Sequence, residues 1–104
     1  MITERLTFRA KYGHGDELVA LFKESIANLF PTEGVRGVRI YTDATGPMFN
    51  VTTEMDYDDT ASWARLTAGD PAVYGTSAFQ DWFAKMMAVT ESGERQLLNM
   101  EVVR

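Results

Sequence analysis

The stretch Tyr12-Gly-His-Gly-Asp-Glu-Leu-Val-Ala-Leu-Phe22 holds the chain's single histidine, pinned between two glycines before an apolar-periodic run. An imidazole with an unperturbed pKa near ~6.5 can take a proton from a phenol-like substrate at neutral pH, which makes His14 a candidate general base. The glycines offer a second reading. Gly13 or Gly15 can adopt positive φ in a turn, after which Asp16 caps a helix, and that turn needs no histidine chemistry. Few other residues announce reactivity. There are no cysteines, which excludes disulfides, thiolate metal sites and thiol nucleophiles together. One histidine with scattered acids does not make the convergent ligand set of an iron or zinc site, so no metal is expected. No Gly-x-Gly-x-x-Gly or Walker loop is present to cradle nucleotide phosphates.

Composition narrows the classes further. At 104 residues, 45% of them apolar, the chain is expected to form one domain over residues 1–104 with a small core. A net charge of -5 and a pI near 4.7 disfavour a nucleic-acid surface, which needs clustered Lys and Arg. The start Met-Ile-Thr-Glu-Arg-Leu lacks the basic segment and apolar core of a signal peptide. No apolar run approaches the roughly 20 residues of a membrane span. A soluble, cytoplasmic protein is therefore expected.

The elements that must position any site follow from periodicity. Ile2 to Lys11 alternates, with Ile2, Leu6, Phe8 and Ala10 on one face and Thr3, Arg5, Thr7 and Arg9 on the other, which is a strand. From Leu18 the spacing changes to Leu18, Leu21, Phe22, Ser25, Ile26, Leu29 and Phe30, one stripe of a helix that Pro31 should end. Val35 to Asp43 and Met48 to Tyr57 read as a hairpin joined by Ala-Thr-Gly-Pro. Asp58 and Asp59 can cap a short helix carrying Trp63 and Leu66, stopped by Gly69. Asp70-Pro71 then restarts a helix with the stripe Ala78, Phe79, Trp82, Phe83 and Met86. Glu91-Ser-Gly-Glu reads as a loop and Gln96 to Val103 as the last strand, with Leu98 and Met100 facing the helices.

This order is α+β, the ferredoxin-like split βαββααβ pattern, giving a four-stranded antiparallel sheet with helices on one face. The helix-facing set would be Leu6, Phe8, Val38, Ile40, Phe49, Val51, Met55, Leu98 and Met100. The opposite face carries Thr3, Arg5, Thr7, Arg9, Val35, Arg39, Tyr41, Asn50, Thr52, Glu54, Leu97, Asn99, Glu101 and Val103, a mixed surface. Water can cover such a face. Alternatively two sheets pack face to face in a homodimer, with Arg5, Arg9 and Arg39 paired to Glu54 and Glu101 of their own or the partner chain, and Tyr41 beside them.

The element order, the Asp-Tyr-Asp-Asp-Thr-Ala-Ser-Trp lead into a short helix, the Asp-Pro-Ala-Val-Tyr start of the next, and Glu-Ser-Gly-Glu-Arg-Gln-Leu-Leu before the last strand together resemble the dimeric α/β-barrel superfamily. Among its branches the chain looks most like NIPSNAP-like and small antibiotic-biosynthesis-monooxygenase-like proteins, over nearly its whole length. The resemblance implies a homodimer whose sheets form a barrel, with a cavity between each sheet and its helices. By position, Phe22, Trp63, Tyr74, Trp82, Phe83 and Met86 could line that cavity. Asn50, Arg65 and His14 would be its polar members. Trp63 and Tyr74, each with a polar edge, are the better wall candidates, whereas Trp82, Phe83 and Met86 at helical spacing also suit a core. Arg65, if turned inward, could hold an anionic oxygen. The haem-degrading branch uses a later histidine that this chain lacks, so no haem and no other cofactor is expected.

Two functions fit these features. One is a cofactor-independent monooxygenase or isomerase acting on a small aromatic or polyketide-like substrate. The other is a non-catalytic dimeric module that binds a small apolar or aromatic ligand or serves an assembly role.

Overall fold

The alternation of the first ten residues forms the strand it requires. In the computed structural model, which describes residues 1–29, 34–67 and 74–103, β1 spans Ile2–Ala10 and lies between two antiparallel neighbours. It is followed by α1 (Gly15–Asn28), β2 (Gly37–Thr42), β3 (Asn50–Tyr57), α2 (Thr60–Thr67), α3 (Ser77–Val89) and β4 (Thr90–Asn99). The four strands form one antiparallel sheet in the order β2-β3-β1-β4, the α+β arrangement expected. The expected helix stops at Pro31 and Gly69, and the Asp70-Pro71 start, lie outside the described residues.

The helices cover the face that carries Glu4, Leu6 and Phe8. Phe22 of α1 packs its ring 5.0 Å from that of Phe8, and Trp82 of α3 sits 6.0 Å from Phe22. Around these rings Ala10, Leu18, Val51 and Val89 are buried, and together they form the main core. The Trp82 indole Nε1 donates to the Leu21 carbonyl at 2.7 Å, so this large ring is buried without an orphaned donor.

Several local expectations change. Gly13, at φ +82°, makes the turn in which His14 N–H donates to the Lys11 carbonyl, and α1 begins at Gly15. The N-cap is therefore His14, with no side-chain cap bond, and Asp16 falls in the first turn, where its charge favours the helix dipole. The last helix starts at the Thr76 cap, whose hydroxyl accepts from Phe79 N–H, and its inward stripe is the buried Trp82 and Val89 with the half-buried Phe79 and Met86, not Ala78 or Phe83.

β4 differs most. It runs directly out of α3, starting six residues earlier than the periodicity indicated, because pairing along all of β1 from Ala10 to Ile2 takes Thr90 to Asn99. The Glu91-Ser-Gly-Glu segment supplies backbone bonds on an edge strand, where polar side chains are tolerated. Gly93 sits opposite Phe8, and an added Cβ would stand 2.8 Å from the Phe8 ring, so the glycine serves a close approach within a strand instead of a loop. This register places Leu98 opposite Thr3 on the open face and Leu97 opposite Glu4 on the helix face, the reverse of the expected assignment. Met100, Glu101 and Val103 follow the strand, and Val35 precedes β2, lining a cavity on the helix side.

On the open face the arginines find partners within the chain. Arg39 donates Nη1 and Nη2 to the two oxygens of Asp56, each at 2.8 Å, and Nε to Glu54 at 3.0 Å. Arg5 Nε donates to the other Glu54 oxygen at 2.8 Å, and Thr3 Oγ1 donates to Asp56 at 2.7 Å. Arg9 lies 3.5 Å from Glu91, not Glu101. The Arg39 hydrogen bond, which outweighs burial, holds the Asp56 carboxyl below its ordinary value. Burial pushes Glu54 upward, but the Arg5 and Arg39 hydrogen bonds together bring it below its ordinary value as well. Carboxylates with depressed folded-state pKa values contribute stability above their unfolded values and lose it as pH falls through the folded ones. Stability should therefore drop as pH is lowered below the ordinary carboxylate range, about pH 4. Arg39→Met should flatten that acid limb in denaturant melts; an unchanged slope would show that the network contributes nothing to it.

Candidate active-site cavity

The even positions of β1 hold an anomaly: Glu4 interrupts the apolar sequence Ile2, Leu6, Phe8 and is buried at 6% exposure. A buried carboxylate requires donors. The nearest comes from α2, where Asp59 caps the helix by accepting from Ser62 N–H at 2.7 Å. One residue further, Trp63 turns its indole toward the sheet and donates Nε1 to Glu4 Oε2 at 2.7 Å. The Arg95 guanidinium of β4 stands 3.6 Å from the same oxygen, with its side chain 66% exposed.

Glu4 lines a cavity of about 200 Å³. Its floor is the sheet, with Leu6 beside Glu4 and with Met55 and Tyr57 from β3; Val35, Leu66, Thr67 and Tyr74 wall the other side, and Arg95 stands at the rim. The Tyr57 phenol is buried, and its hydroxyl donates to the Met55 thioether at 3.6 Å. Burial first, then the charge of Glu4 and the neighbouring Tyr74, push Tyr57 up to about 12. It is thus a neutral O–H donor at physiological pH, turned to a weak acceptor that a ligand oxygen can replace.

Of the residues singled out in the sequence, Tyr74 lines this cavity and Trp63 holds its carboxylate. Phe22, Trp82 and Met86 belong to the core around Leu18. Phe83 is exposed and stacks on Phe79 at 5.8 Å. Arg65 is exposed in the last turn of α2, and Asn50 lies opposite Arg9 on the other face of the sheet. His14 is half-exposed at the start of α1, with Nδ1 3.0 Å from Glu17 Oε1, and does not line the cavity. The structure places the opening histidine in a turn at the start of α1, away from this cavity. Glu4, Tyr57 and Arg95 were not read from the sequence. The signal available was the charged residue on an apolar strand face. Among the described residues no three His, Asp or Glu side chains converge as a metal site, and no helix is long and apolar enough to cross a membrane.

No family model and no curated protein matches the chain in sequence. Solved structures do match. An uncharacterized NIPSNAP domain protein from Burkholderia xenovorans aligns with a TM-score of 0.79 at 19% identity, over 100% of this chain and 98% of that one. A NIPSNAP family protein from Agrobacterium tumefaciens gives 0.77 at 21%, over 98% and 94%. SnoaB, a cofactor-independent oxygenase from Streptomyces nogalater, gives 0.66 at 13%, over 98% and 94%. The chain therefore has the ferredoxin-like α+β fold shared by NIPSNAP-domain and antibiotic-biosynthesis-monooxygenase structures.

Proposed function

We propose that the chain is a cofactor-independent enzyme that deprotonates a small phenolic or enolisable aromatic compound in the Glu4 cavity. The observation that carries this reading is a buried carboxylate, held by Trp63, near a buried neutral phenol on the sheet floor of a mostly apolar cavity. An engineered cavity of about 150 Å³ takes a benzene ring. A volume near 200 Å³ therefore suits one or two rings better than a four-ring polyketide.

In the reaction, Glu4 takes the proton from an acidic C–H or O–H. Tyr57 turns its O–H from Met55 to the substrate oxygen on which charge develops, and the burial of the phenol strengthens that bond. The resulting anion has two outcomes. Protonation at another carbon is isomerisation. Transfer of one electron to dioxygen and recombination at an activated CH2 carbon gives a hydroperoxide, which loses water to leave a carbonyl, so two hydrogens and one oxygen atom depart as water. SnoaB, an oxygenase of the same fold that works without a cofactor, supports the second outcome.

The test is exchange of the activated protons of 2-tetralone and related one- and two-ring ketones into deuterated water, run alongside oxygen uptake. Accelerated exchange is expected. Absence of both exchange and oxygen uptake, with retained ligand binding, would instead support a non-catalytic binding module.

We also propose that the open face of the sheet meets a second copy of the chain, with Arg5, Arg9, Arg39, Tyr41 and Glu54 at the contact. Arg5 and Arg39 keep about 40% and 37% of their side chains exposed while Glu54 and Asp56 beneath them are buried, and Tyr41 and Leu98 add apolar area. A desolvated ion-pair network contributes little net stability and serves to fix register. Arg39→Ala should weaken the dimer in sedimentation at micromolar concentration. An unchanged profile, with circular dichroism also unchanged, would count against it.

A further inference from the structure

Arg95 is a charged residue of the cavity that the reaction above leaves unused. Its register partner is Leu6, and it projects from the edge strand on the face that bears the cavity, between Gly93 and Leu97. Its Nε is 3.6 Å from Glu4 Oε2, beyond hydrogen-bond length, while Trp63 already donates to that oxygen at 2.7 Å. Glu4 thus has its hydrogen-bond donor in Trp63, and the Arg95 guanidinium, ion-paired to Glu4 through Nε, keeps its Nη donors for another acceptor.

We infer that Arg95 is an anion anchor at the cavity mouth, and that the ligand is a one- or two-ring aromatic compound carrying a carboxylate. This rests on the cavity being the ligand site, as proposed above. The apolar interior of Leu6, Val35, Met55 and Leu66 takes the ring, and the planar fork of the guanidinium matches a carboxylate in a bidentate way. Besides Glu4, Arg95 is the only charged residue lining this cavity among the described residues. With a net charge of -5, the field of the chain as a whole does not attract anions, so recognition has to be local.

Titration of the intact protein with 2-naphthoate, its neutral isostere 2-naphthamide and 2-naphthylmethylammonium, followed by calorimetry and tryptophan fluorescence, separates the cases. Naphthoate should bind about tenfold more tightly than naphthamide, as a charge-assisted bond predicts. Arg95→Gln should remove that preference, and Arg95→Lys should restore part of it. Equal binding of naphthoate and naphthamide, a preference that survives Arg95→Gln, or tightest binding of the ammonium probe would overturn the anchor while leaving the cavity as the ligand site. Failure of all three to bind would overturn the cavity reading and the anchor together.

Discussion

Glu4→Gln should reduce proton exchange from an activated ketone by roughly 10²- to 10⁴-fold, the usual contribution of a positioned general base. Glutamine keeps the shape, and its carbonyl oxygen can still accept from Trp63 Nε1, so the α2–β1 contact and the fold survive. What is lost is the group that takes the proton. Binding of a neutral aromatic ligand should persist, because the apolar floor and walls are untouched, so the defect falls on turnover and not on affinity. Tyr57→Phe should show a smaller loss in the same assay, since it removes a donor to the developing charge and leaves the base in place. If Glu4→Gln exchanged protons as fast as the parent protein, Glu4 would be a structural carboxylate that ties α2 to the sheet, and the proposed chemistry would be wrong.

The largest expected stability effect lies at Trp82. Truncation to alanine should cost about 3–5 kcal/mol, as for other large buried aromatics. It removes the ring between Phe22 and Phe79 and leaves the Leu21 carbonyl without its indole donor. Against a total stability of about 5–15 kcal/mol for a domain of this kind, that is a large fraction. Trp82→Phe keeps most of the packing and should cost about 0.5–1.5 kcal/mol for the lost indole hydrogen bond, since the Leu21 carbonyl keeps its partner in the α1 ladder. Denaturant melts at constant slope would measure both. Because Trp82 does not line the Glu4 cavity, Trp82→Phe should leave naphthamide affinity unchanged. A change of more than a few-fold there would place Trp82 among the ligand contacts.

The cavity was legible only in part. Trp63 and Tyr74 were identifiable because aromatic residues with polar edges near helix starts are suited to cavity walls. Glu4 was not legible as a site residue, because a single charge on an apolar strand face does not say which donors it will meet. The donor comes from 59 residues away in Trp63, and the ion-pair partner Arg95 from a strand whose beginning looked like a loop. Phe22 and Met86 looked like wall residues, but helical spacing does not distinguish a stripe that faces a cavity from one that fills a core.

The sequence by itself determined what local physics can decide. Period-two alternation made β1 and the hairpin strands, period-3.6 stripes made α1 and α3, and the order of these elements led to the four-stranded antiparallel sheet. Only the tertiary structure decided where β4 begins and which of its side chains face the helices, because that register is set by the length of β1 and by the Phe8 ring over Gly93, not by the polar residues of β4 itself. It decided the candidate site for the same reason. Burying Glu4 is tolerable only where Trp63 reaches it, and that meeting is a property of two elements packed together.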